Sequence, residues 1–231
     1  MARKTLIVGG TGFVGGYTAL YFQAQGRDVT LMSRSRPKGT SRLNDLPFVR
    51  GDYINDDFGD GRLEGFDDLV FCAGSDAGDL PRDRPVSEAD FFRKANIEGL
   101  PRFFEQAKRA GISRAVYMGS FYSFATPKSI DKIPYVRSRH ESDEAIRSFS
   151  SPSFKVCSCA LPWIVGYTPG FPVWQWAQTT EYAQGKLVGA SEFAPPGSAN
   201  FMTCHSVAEA MVGGLERGES GKAYLVGDIN L

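Results

Sequence analysis

The chain has 231 residues, a length that fits one α/β domain with a small appended lobe. Its 26 basic and 26 acidic residues balance and form no basic block, which makes nucleic acids and anionic membranes poor candidate partners. The first apolar run stops at Gly9, too early for a secretion signal or a membrane span. We therefore expect a cytoplasmic protein whose partner is a small-molecule substrate.

The most informative motif follows the first predicted strand. The apolar residues 5–8 lead into the run GGTGFVGG at 9–16, and a helical pattern begins there. Glycines at such a junction let the main chain turn and approach a pyrophosphate, whose charge is stabilised by free N–H groups and by the helix N-terminus. The run satisfies both the G-x-G-x-x-G and the G-x-x-G-x-x-G spacing. It predicts a dinucleotide site that includes Gly9, Thr11, Gly12, Phe13 and Val14.

Strand and helix patterns alternate along most of the chain. The predicted helices are Val14–Gln25, Ser87–Ala110, Tyr135–Ser148 and His205–Glu216. The predicted strands, after residues 5–8, are Asp28–Met32, Phe48–Arg50, Asp68–Cys72, Arg114–Met118, Lys155–Leu161 and Ala223–Val226. This alternation predicts an α/β fold, a Rossmann-type doubly wound parallel sheet of roughly seven strands.

The composition changes after Pro162, where aromatic residues, prolines and glycines accumulate. We therefore expect residues 1–162 to form the dinucleotide-binding Rossmann domain. Residues 163–231 are expected to combine a small, discontinuous substrate lobe with the last helix and strand of the sheet. The aromatic cluster of this segment suits an apolar or aromatic substrate, although such residues are more often the core of a lobe. Its members are Trp163, Phe171, Trp174 and Trp176.

The end of the second predicted strand indicates which dinucleotide binds. A carboxylate about 20 residues past the glycine loop accepts the 2′-hydroxyl of NAD, whereas a basic residue there accommodates the 2′-phosphate of NADP. The chain has Ser33 and Arg34 at this place and no acid, and Arg36 or Lys38 can assist. NADP is therefore favoured over NAD, the alternative being that these residues form a solvated surface turn.

The four cysteines lie in apolar or strand-like stretches and have neither C-x-x-C spacing nor a nearby pair of histidines. They are Cys72, Cys157, Cys159 and Cys204. We interpret them as buried, reduced thiols and expect no metal site.

Further segments, in their order along the chain, resemble the extended short-chain dehydrogenase/reductase superfamily of NAD(P)-dependent epimerases, dehydratases and reductases. Asp52 and Tyr53 follow Gly51 as in the family's G-D-hydrophobic element, whose aspartate contacts adenine. Asn96 matches the family's N-x-x-G helix motif. By the same resemblance, two further segments line the cofactor: Cys72, Ala73 and Gly74 after the fourth strand, and Pro162, Trp163, Ile164 and Val165 against the nicotinamide.

The resemblance also indicates catalytic residues. Ser120 ends a strand as the family's catalytic serine does, and Tyr135 with Arg139 occupies the place of the Y-x-x-x-K motif. A cation one helical turn from a phenol stabilises its anion and makes it useful for proton transfer near neutral pH. Ser120 stands where a strand end can orient the substrate oxygen. Arg139 departs from the family's usual lysine. It keeps the positive charge, but its planar guanidinium has a forked set of N–H donors in place of a compact ammonium.

Two more departures concern the substrate. Leu161 stands where the family commonly has arginine, and Ala199 precedes a segment where nucleotide-sugar enzymes place an arginine that grips a diphosphate. Both argue against a nucleotide-sugar substrate. The chain ends at Leu231, where relatives usually continue into further helices of the substrate lobe, so either the lobe is minimal or a tail is missing.

Three functions are compatible with these residues. The first is an NADP-dependent oxidoreductase acting on a carbonyl or alcohol of a small, apolar substrate. The second is an epimerase or dehydratase that returns the hydride to its substrate. The third is a catalytically silent module that senses NADP. It is suggested by Arg139, which stands in place of the family's lysine. The resemblance also implies a homodimer formed through the helices Ser87–Ala110 and Tyr135–Ser148.

Overall fold

The computed structural model of the chain describes residues 3–37, 41–81, 86–168, 180–186 and 198–230. The sequence-based interpretations of Lys38, Phe171, Trp174 and Trp176 lie outside these ranges. Within them, no helix has the length and apolar character that a membrane crossing requires.

Seven parallel strands form the central sheet, in the order β3-β2-β1-β4-β5-β6-β9. The first six follow the strand order of a dinucleotide-binding doubly wound fold, with the switch point between β1 and β4. The predicted fold class is confirmed. The strands are β1 Lys4–Val8, β2 Asp28–Ser33, β3 Phe48–Arg50, β4 Asp68–Phe71, β5 Arg114–Ser120, β6 Lys155–Leu161 and β9 Ala223–Leu225.

Helices cover both faces of this sheet, which explains the nearly continuous apolar strands. Successive side chains of β1 alternate between two cores: Leu6 and Val8 lie in one, and Ile7 lies in the other. The first core is closed by α3 and α5, and the second by α1 and α6, which contact each other. The helices are α1 Phe13–Ala24, α2 Glu88–Phe92, α3 Leu100–Arg109, α4 Tyr122–Ala125, α5 Pro134–Ser148 and α6 Cys204–Arg217.

The predicted helix Ser87–Ala110 is continuous but not uniform. Ser87 is its N-cap, because the Ser87 hydroxyl accepts a hydrogen bond from the Asp90 N–H at 3.1 Å. Between α2 and α3, however, the segment Arg93–Gly99 is π-helical. Such segments occur often at functional sites, and this one carries the buried Asn96.

A second, three-stranded sheet lies beside the large one, in the order β10-β8-β7. Its strands are β7 Trp163–Val165, β8 Asn200–Thr203 and β10 Ile229–Asn230. Phe201 is opposite Trp163 on one side and Ile229 on the other. The sequence patterns did not predict this sheet, since three strands of two to four residues are too short to show a period.

Candidate active site

A cleft of ≈ 390 Å³ opens at the carboxyl ends of β1, β2, β3 and β4, the edge at which open α/β sheets bind ligands. We call it the sheet-end cleft. Most of the predicted cofactor residues line it: Gly9, Thr11, Gly12, Ser33, Arg34, Asp52, Tyr53, Cys72, Ala73 and Gly74.

The glycine loop forms one wall of this cleft in a conformation that leaves no room for a side chain at Gly9 or Gly15. Gly9 has φ of 78°, and a Cβ there would lie 2.7 Å from the Ala73 nitrogen. A Cβ on Gly15 would lie 2.3 Å from the Gly9 oxygen. The first turn of α1 contains no acidic residue, and its N-cap Gly12 makes no side-chain cap, so the positive helix end is left for an anion. This helix begins at Phe13, one residue before the predicted start at Val14, and the cofactor role predicted for these two residues stays a prediction, since neither lines the cleft.

At the other end of the cleft, Asp52 already has hydrogen-bond partners. One carboxylate oxygen accepts the Ile54 N–H at 3.0 Å and the other accepts the Asn55 amide at 2.9 Å. The neighbouring Tyr53 directs its ring into the core, with its hydroxyl 3.2 Å from the Ser75 hydroxyl. Burial raises the pKa of Tyr53 to about 12. The two side chains therefore shape the turn that forms the cleft floor.

Asn96 holds the segment after β4 in place. Its amide donates to the Ser75 carbonyl and to the Ser138 hydroxyl, both at 3.1 Å, and its oxygen accepts the Ser75 N–H at 3.4 Å. Asn96 is fully buried and does not belong to the cleft lining. It connects the π-helical segment, the strand end and α5, and thus positions the cleft wall.

Arg139 reaches from α5 to the ends of the central strands. Its guanidinium donates to the Met118 carbonyl at 2.8 Å, and its Nη1 lies 2.7 Å from the position of a Cβ on Gly74. The side chain is buried, and its Nε has no partner within the described ranges. Burial lowers the pKa of Arg139, but surrounding groups, Asp143 among them, more than offset this and raise it.

Tyr135 and Ser120 lie on either side of a small aromatic group. The ring of Tyr135 contacts Phe92 edge to face, with centroids 5.3 Å apart, and Tyr122 at 6.0 Å. The Tyr122 N–H in turn points to the Ser120 hydroxyl at 3.4 Å. Ser120 and Tyr135 are both half-buried. Tyr122 thus bridges the two predicted catalytic residues.

The segment 162–165 lies outside the lining of the sheet-end cleft. Trp163 is 52% exposed, whereas Ile164 packs against the core between α1 and α6. Beyond β7, Thr168 is fully buried and donates to the Phe13 carbonyl at 2.6 Å, which ties this segment to the glycine loop. The role predicted for Pro162, Trp163, Ile164 and Val165 beside a nicotinamide stays a prediction.

The sequence patterns did not identify two carboxylates of the site. Asp79 lines the sheet-end cleft from a short turn after β4. Asp143 is buried one helical turn beyond Arg139, where it accepts the Arg147 Nε at 2.7 Å. The sequence does carry a signal for Asp143, because it follows Arg139 by four residues on the predicted helix and such pairs lie on one face. No local pattern places Asp79 near the glycine loop.

The parallel sheet, the glycine loop and the cleft at its switch point define a dinucleotide-binding protein of the Rossmann type. The sequence matches the model of the NAD dependent epimerase/dehydratase family over residues 5–227. The chain therefore belongs to the NAD dependent epimerase/dehydratase family, and the resemblance to the extended short-chain dehydrogenase/reductase superfamily is confirmed. The expectation of an enzyme that uses a nicotinamide dinucleotide is confirmed at the level of this family.

Solved structures agree on the fold. The chain is similar to the protein gox2253, with a TM-score of 0.76 at 22% identity over 99% of this chain and 71% of that one. It is also similar to PA4631, a nucleoside-diphosphate-sugar epimerase from Pseudomonas aeruginosa (TM-score 0.74, 21% identity, 100% and 74% coverage). A third is a double mutant of DesIV, a dTDP-glucose 4,6-dehydratase from Streptomyces venezuelae, solved with NAD. Its TM-score is 0.72 at 19% identity over 99% of this chain and 77% of that one. A search of curated proteins finds none that matches.

Proposed function

We propose that the chain is an NADP-dependent oxidoreductase of the short-chain dehydrogenase/reductase type, acting on a carbonyl or alcohol of a small, apolar substrate. The observation that carries this proposal is the position of Arg139. Its buried guanidinium extends from the helix of Tyr135 to Gly74 in the sheet-end cleft. A cation in that position links the cofactor cleft to the proposed proton-transfer residue.

The residues of the sheet-end cleft fit a dinucleotide. The glycine loop accommodates a pyrophosphate, since side chains at Gly9 or Gly15 would collide with backbone. Arg34 lines the cleft and forms no ion pair within the described part of the chain, so its guanidinium is available to a 2′-phosphate. When bound, NADP supplies or accepts a hydride at the substrate carbon. DesIV, a solved relative of this fold, holds NAD, so the preference for NADP rests on Arg34 and on the missing strand-end acid.

The proposed proton chemistry uses three side chains. Tyr135 exchanges a proton with the substrate oxygen, and Arg139 carries a positive charge one turn further along the same helix. Ser120 donates a hydrogen bond to the same oxygen and orients it. Arg139 acts as an electrostatic partner at the cleft end rather than as a proton donor, because a guanidinium does not give up its proton in proteins.

The surroundings of Tyr135 favour an apolar substrate. Phe92 and Tyr122 contact its ring, and Phe121 lies against Tyr122 with centroids 4.7 Å apart. Aromatic surfaces of this kind bind apolar or planar molecules. We assign the remaining part of the substrate site to a lobe within residues 163–231, and a homodimer to the helices α3 and α5. Both assignments follow the family resemblance.

The family also supports a second candidate, an epimerase or dehydratase that returns the hydride. PA4631 and DesIV carry such activities in the same fold. Transient and net hydride transfer use the same tyrosine, serine and cation, so the site residues do not separate them. The alanine at position 199, where nucleotide-sugar enzymes have arginine, favours the oxidoreductase. The silent NADP sensor is the third candidate, and it requires no proton donor.

The deciding experiment combines binding with turnover. We expect NADPH to bind the purified chain in calorimetry, and aromatic or aliphatic aldehydes and ketones to be reduced with stoichiometric loss of NADPH absorbance. Tyr135→Phe should abolish turnover while leaving NADPH affinity within about twofold, since the lost hydroxyl acts on the substrate. UDP- and dTDP-sugars are assayed in the same way, as the substrates expected for an epimerase or dehydratase. Turnover of those sugars without net NADPH loss would favour the epimerase, and absence of NADPH binding would overturn the proposal.

A further inference from the structure

The sheet-end cleft contains a carboxylate that the strand-end rule for cofactor choice does not consider. Asp79 lines the same cleft as Arg34 but comes from the turn after β4, on the opposite side of the glycine loop. The strand-end position itself carries Ser33, Arg34 and Ser35, with no acid. The cleft therefore presents a cation from β2 and an anion from the turn after β4.

Hydrogen bonds of its own turn hold Asp79 in place. Its carboxylate accepts the Asp76 N–H at 3.1 Å, and the Asp76 carboxylate accepts the Gly78 N–H at 2.7 Å, which together form a capping box around the turn Ala77–Asp79. This arrangement fixes the carboxylate on the cleft wall. Asp79 is exposed, but the bond from the Asp76 N–H orients its carboxylate.

The charges of Asp79 and Arg34 act on each other. The pKa of Asp79 is raised: desolvation raises it, the hydrogen bond from the Asp76 N–H lowers it, the charge of the Asp76 carboxylate raises it, and the charge of Arg34 lowers it by a smaller amount. Arg34 and Asp79 are not paired with each other among the ion pairs of the described residues, but both line the sheet-end cleft. An anion in that space meets the attraction of Arg34 and the repulsion of Asp79 together.

We propose that Asp79 is a specificity-determining residue, which sets the ratio of NADP to NAD affinity by opposing Arg34 across the sheet-end cleft. The inference rests on the proposed use of NADP. A 2′-phosphate carries more negative charge than the 2′-hydroxyl that replaces it in NAD. An ionised Asp79 therefore weakens binding of NADPH and leaves binding of NADH nearly unchanged. Arg34 and Asp79 together give a smaller preference for NADP than Arg34 alone.

The test measures dissociation constants of NADPH and NADH, and of 2′,5′-ADP and 5′-AMP as fragments that differ in the 2′-phosphate. Asp79→Asn keeps an oxygen that accepts the Asp76 N–H and removes the charge. We expect its NADPH and 2′,5′-ADP affinities to rise about three- to tenfold, the range for charges acting through a wet cleft, with NADH and 5′-AMP within about twofold. Arg34→Ala should shift the same ratio in the opposite direction.

Asp60→Asn is the matched control, because it removes one carboxylate that is 54% exposed and outside the cleft lining. Thermal melting of each variant reports whether the fold is kept. An unchanged ratio in Asp79→Asn, with NADPH bound by the parent protein, would overturn the inference and leave the proposed function standing. A parent protein that binds neither NADPH nor NADH would overturn both. If Asp79→Asn lowers the ratio, Asp79 favours the phosphate and the inference is wrong.

Discussion

The guanidinium of Arg139 occupies the space that a side chain at position 74 would need. A Cβ on Gly74 would lie 2.7 Å from Nη1 of Arg139, a distance that requires one of the two to move. Because Arg139 is buried and bonded to the Met118 carbonyl, its end has little freedom to give way. An arginine in place of the family's usual lysine is thus accommodated by a glycine 65 positions earlier in the chain.

This relationship predicts that the two positions are coupled. Gly74→Ala should cost about 1–2 kcal/mol in the parent protein, because the added methyl displaces a packed guanidinium. In the Arg139→Lys background, the same change should cost markedly less, since an ammonium lacks the fork that approaches residue 74. Urea denaturation of the parent, the two single variants and the double variant gives a double-mutant cycle, in which we expect a coupling energy of about 1 kcal/mol. Costs that simply add would contradict the coupling.

Asp143 is expected to compensate the buried charge of Arg139. Both side chains are buried on one face of α5, and Asp143 also accepts the Arg147 Nε. Asp143→Asn should therefore lower the free energy of unfolding by about 2–4 kcal/mol, because it leaves the buried Arg139 and the half-buried Arg147 without this anion. Urea denaturation measures the loss. Glu144→Gln, which removes a carboxylate that is 60% exposed on the same helix, should change stability by less than about 0.5 kcal/mol.

A loss in Asp143→Asn no larger than in Glu144→Gln would show that Arg139 does not need this carboxylate. The comparison is informative because both variants change the net charge by the same amount and keep the side-chain volume. The two groups differ in burial and in partner, since Asp143 pairs with Arg147 and Glu144 lies near His140.

The strands and the glycine loop were predictable because each depends on residues that are near one another in the chain. β3 and β6 have the predicted bounds, α1 is shifted by one residue at each end, and α5 begins one residue earlier than predicted. β5 extends to Ser120 rather than Met118, since pairing with β6 continues through Ser120 opposite Leu161. That pairing joins segments about 40 residues apart, beyond the reach of a local pattern.

The parts of the site that escaped prediction depend on long-range packing. The contact of Gly74 with Arg139 joins residues 65 positions apart, and the sheet-end cleft brings together Asp79 and Arg34, which are 45 positions apart. The π-helical segment around Asn96 has no local signature either, because it is stabilised by bonds to Ser75 and Ser138. Motif resemblance located Asn96 correctly in a helix, but only the structure reveals that it positions the cleft wall.

Gly15 tests the close packing of the glycine loop. A Cβ on Gly15 would lie 2.3 Å from the Gly9 oxygen, so Gly15→Ala must displace the loop backbone. We expect NADPH affinity to fall at least about tenfold, because the displaced backbone no longer approaches the pyrophosphate. Calorimetry measures this loss. Gly213→Ala in α6 is the control: its Cβ would meet only the flexible end of Arg217, at 3.1 Å, and the change should leave NADPH affinity unaltered.

A Gly15→Ala protein that folds and binds NADPH as tightly as the parent would contradict a phosphate site at this loop. Gly213→Ala is also expected to raise stability slightly, since alanine favours a helix interior over glycine by about 1 kcal/mol. The pair therefore separates an effect on the loop from the general effect of adding a methyl group.

The buried thiols predict a loss of stability at alkaline pH. The four cysteines are buried without disulfides, and burial raises the pKa of Cys72 and of Cys159 to about 12. A thiol with a raised pKa keeps its proton in the folded state after the unfolded chain has lost it. Its contribution is therefore fully present below the ordinary pKa of 9.0 and is lost as the pH rises from there towards 12.

Each such thiol should lower the free energy of unfolding by about 1.4 kcal/mol per pH unit within that window. We expect Cys72→Ala to be less stable than the parent at pH 7.5, because it removes a buried group, but to lose stability less steeply between pH 9 and 11. Val70→Ala, at a fully buried neighbouring position without a titrating group, should lower stability at every pH and keep the parent slope. Urea denaturation across this range gives the slopes, and equal slopes for Cys72→Ala and the parent would mean that the Cys72 thiol loses its proton as readily in the folded chain as in the unfolded one.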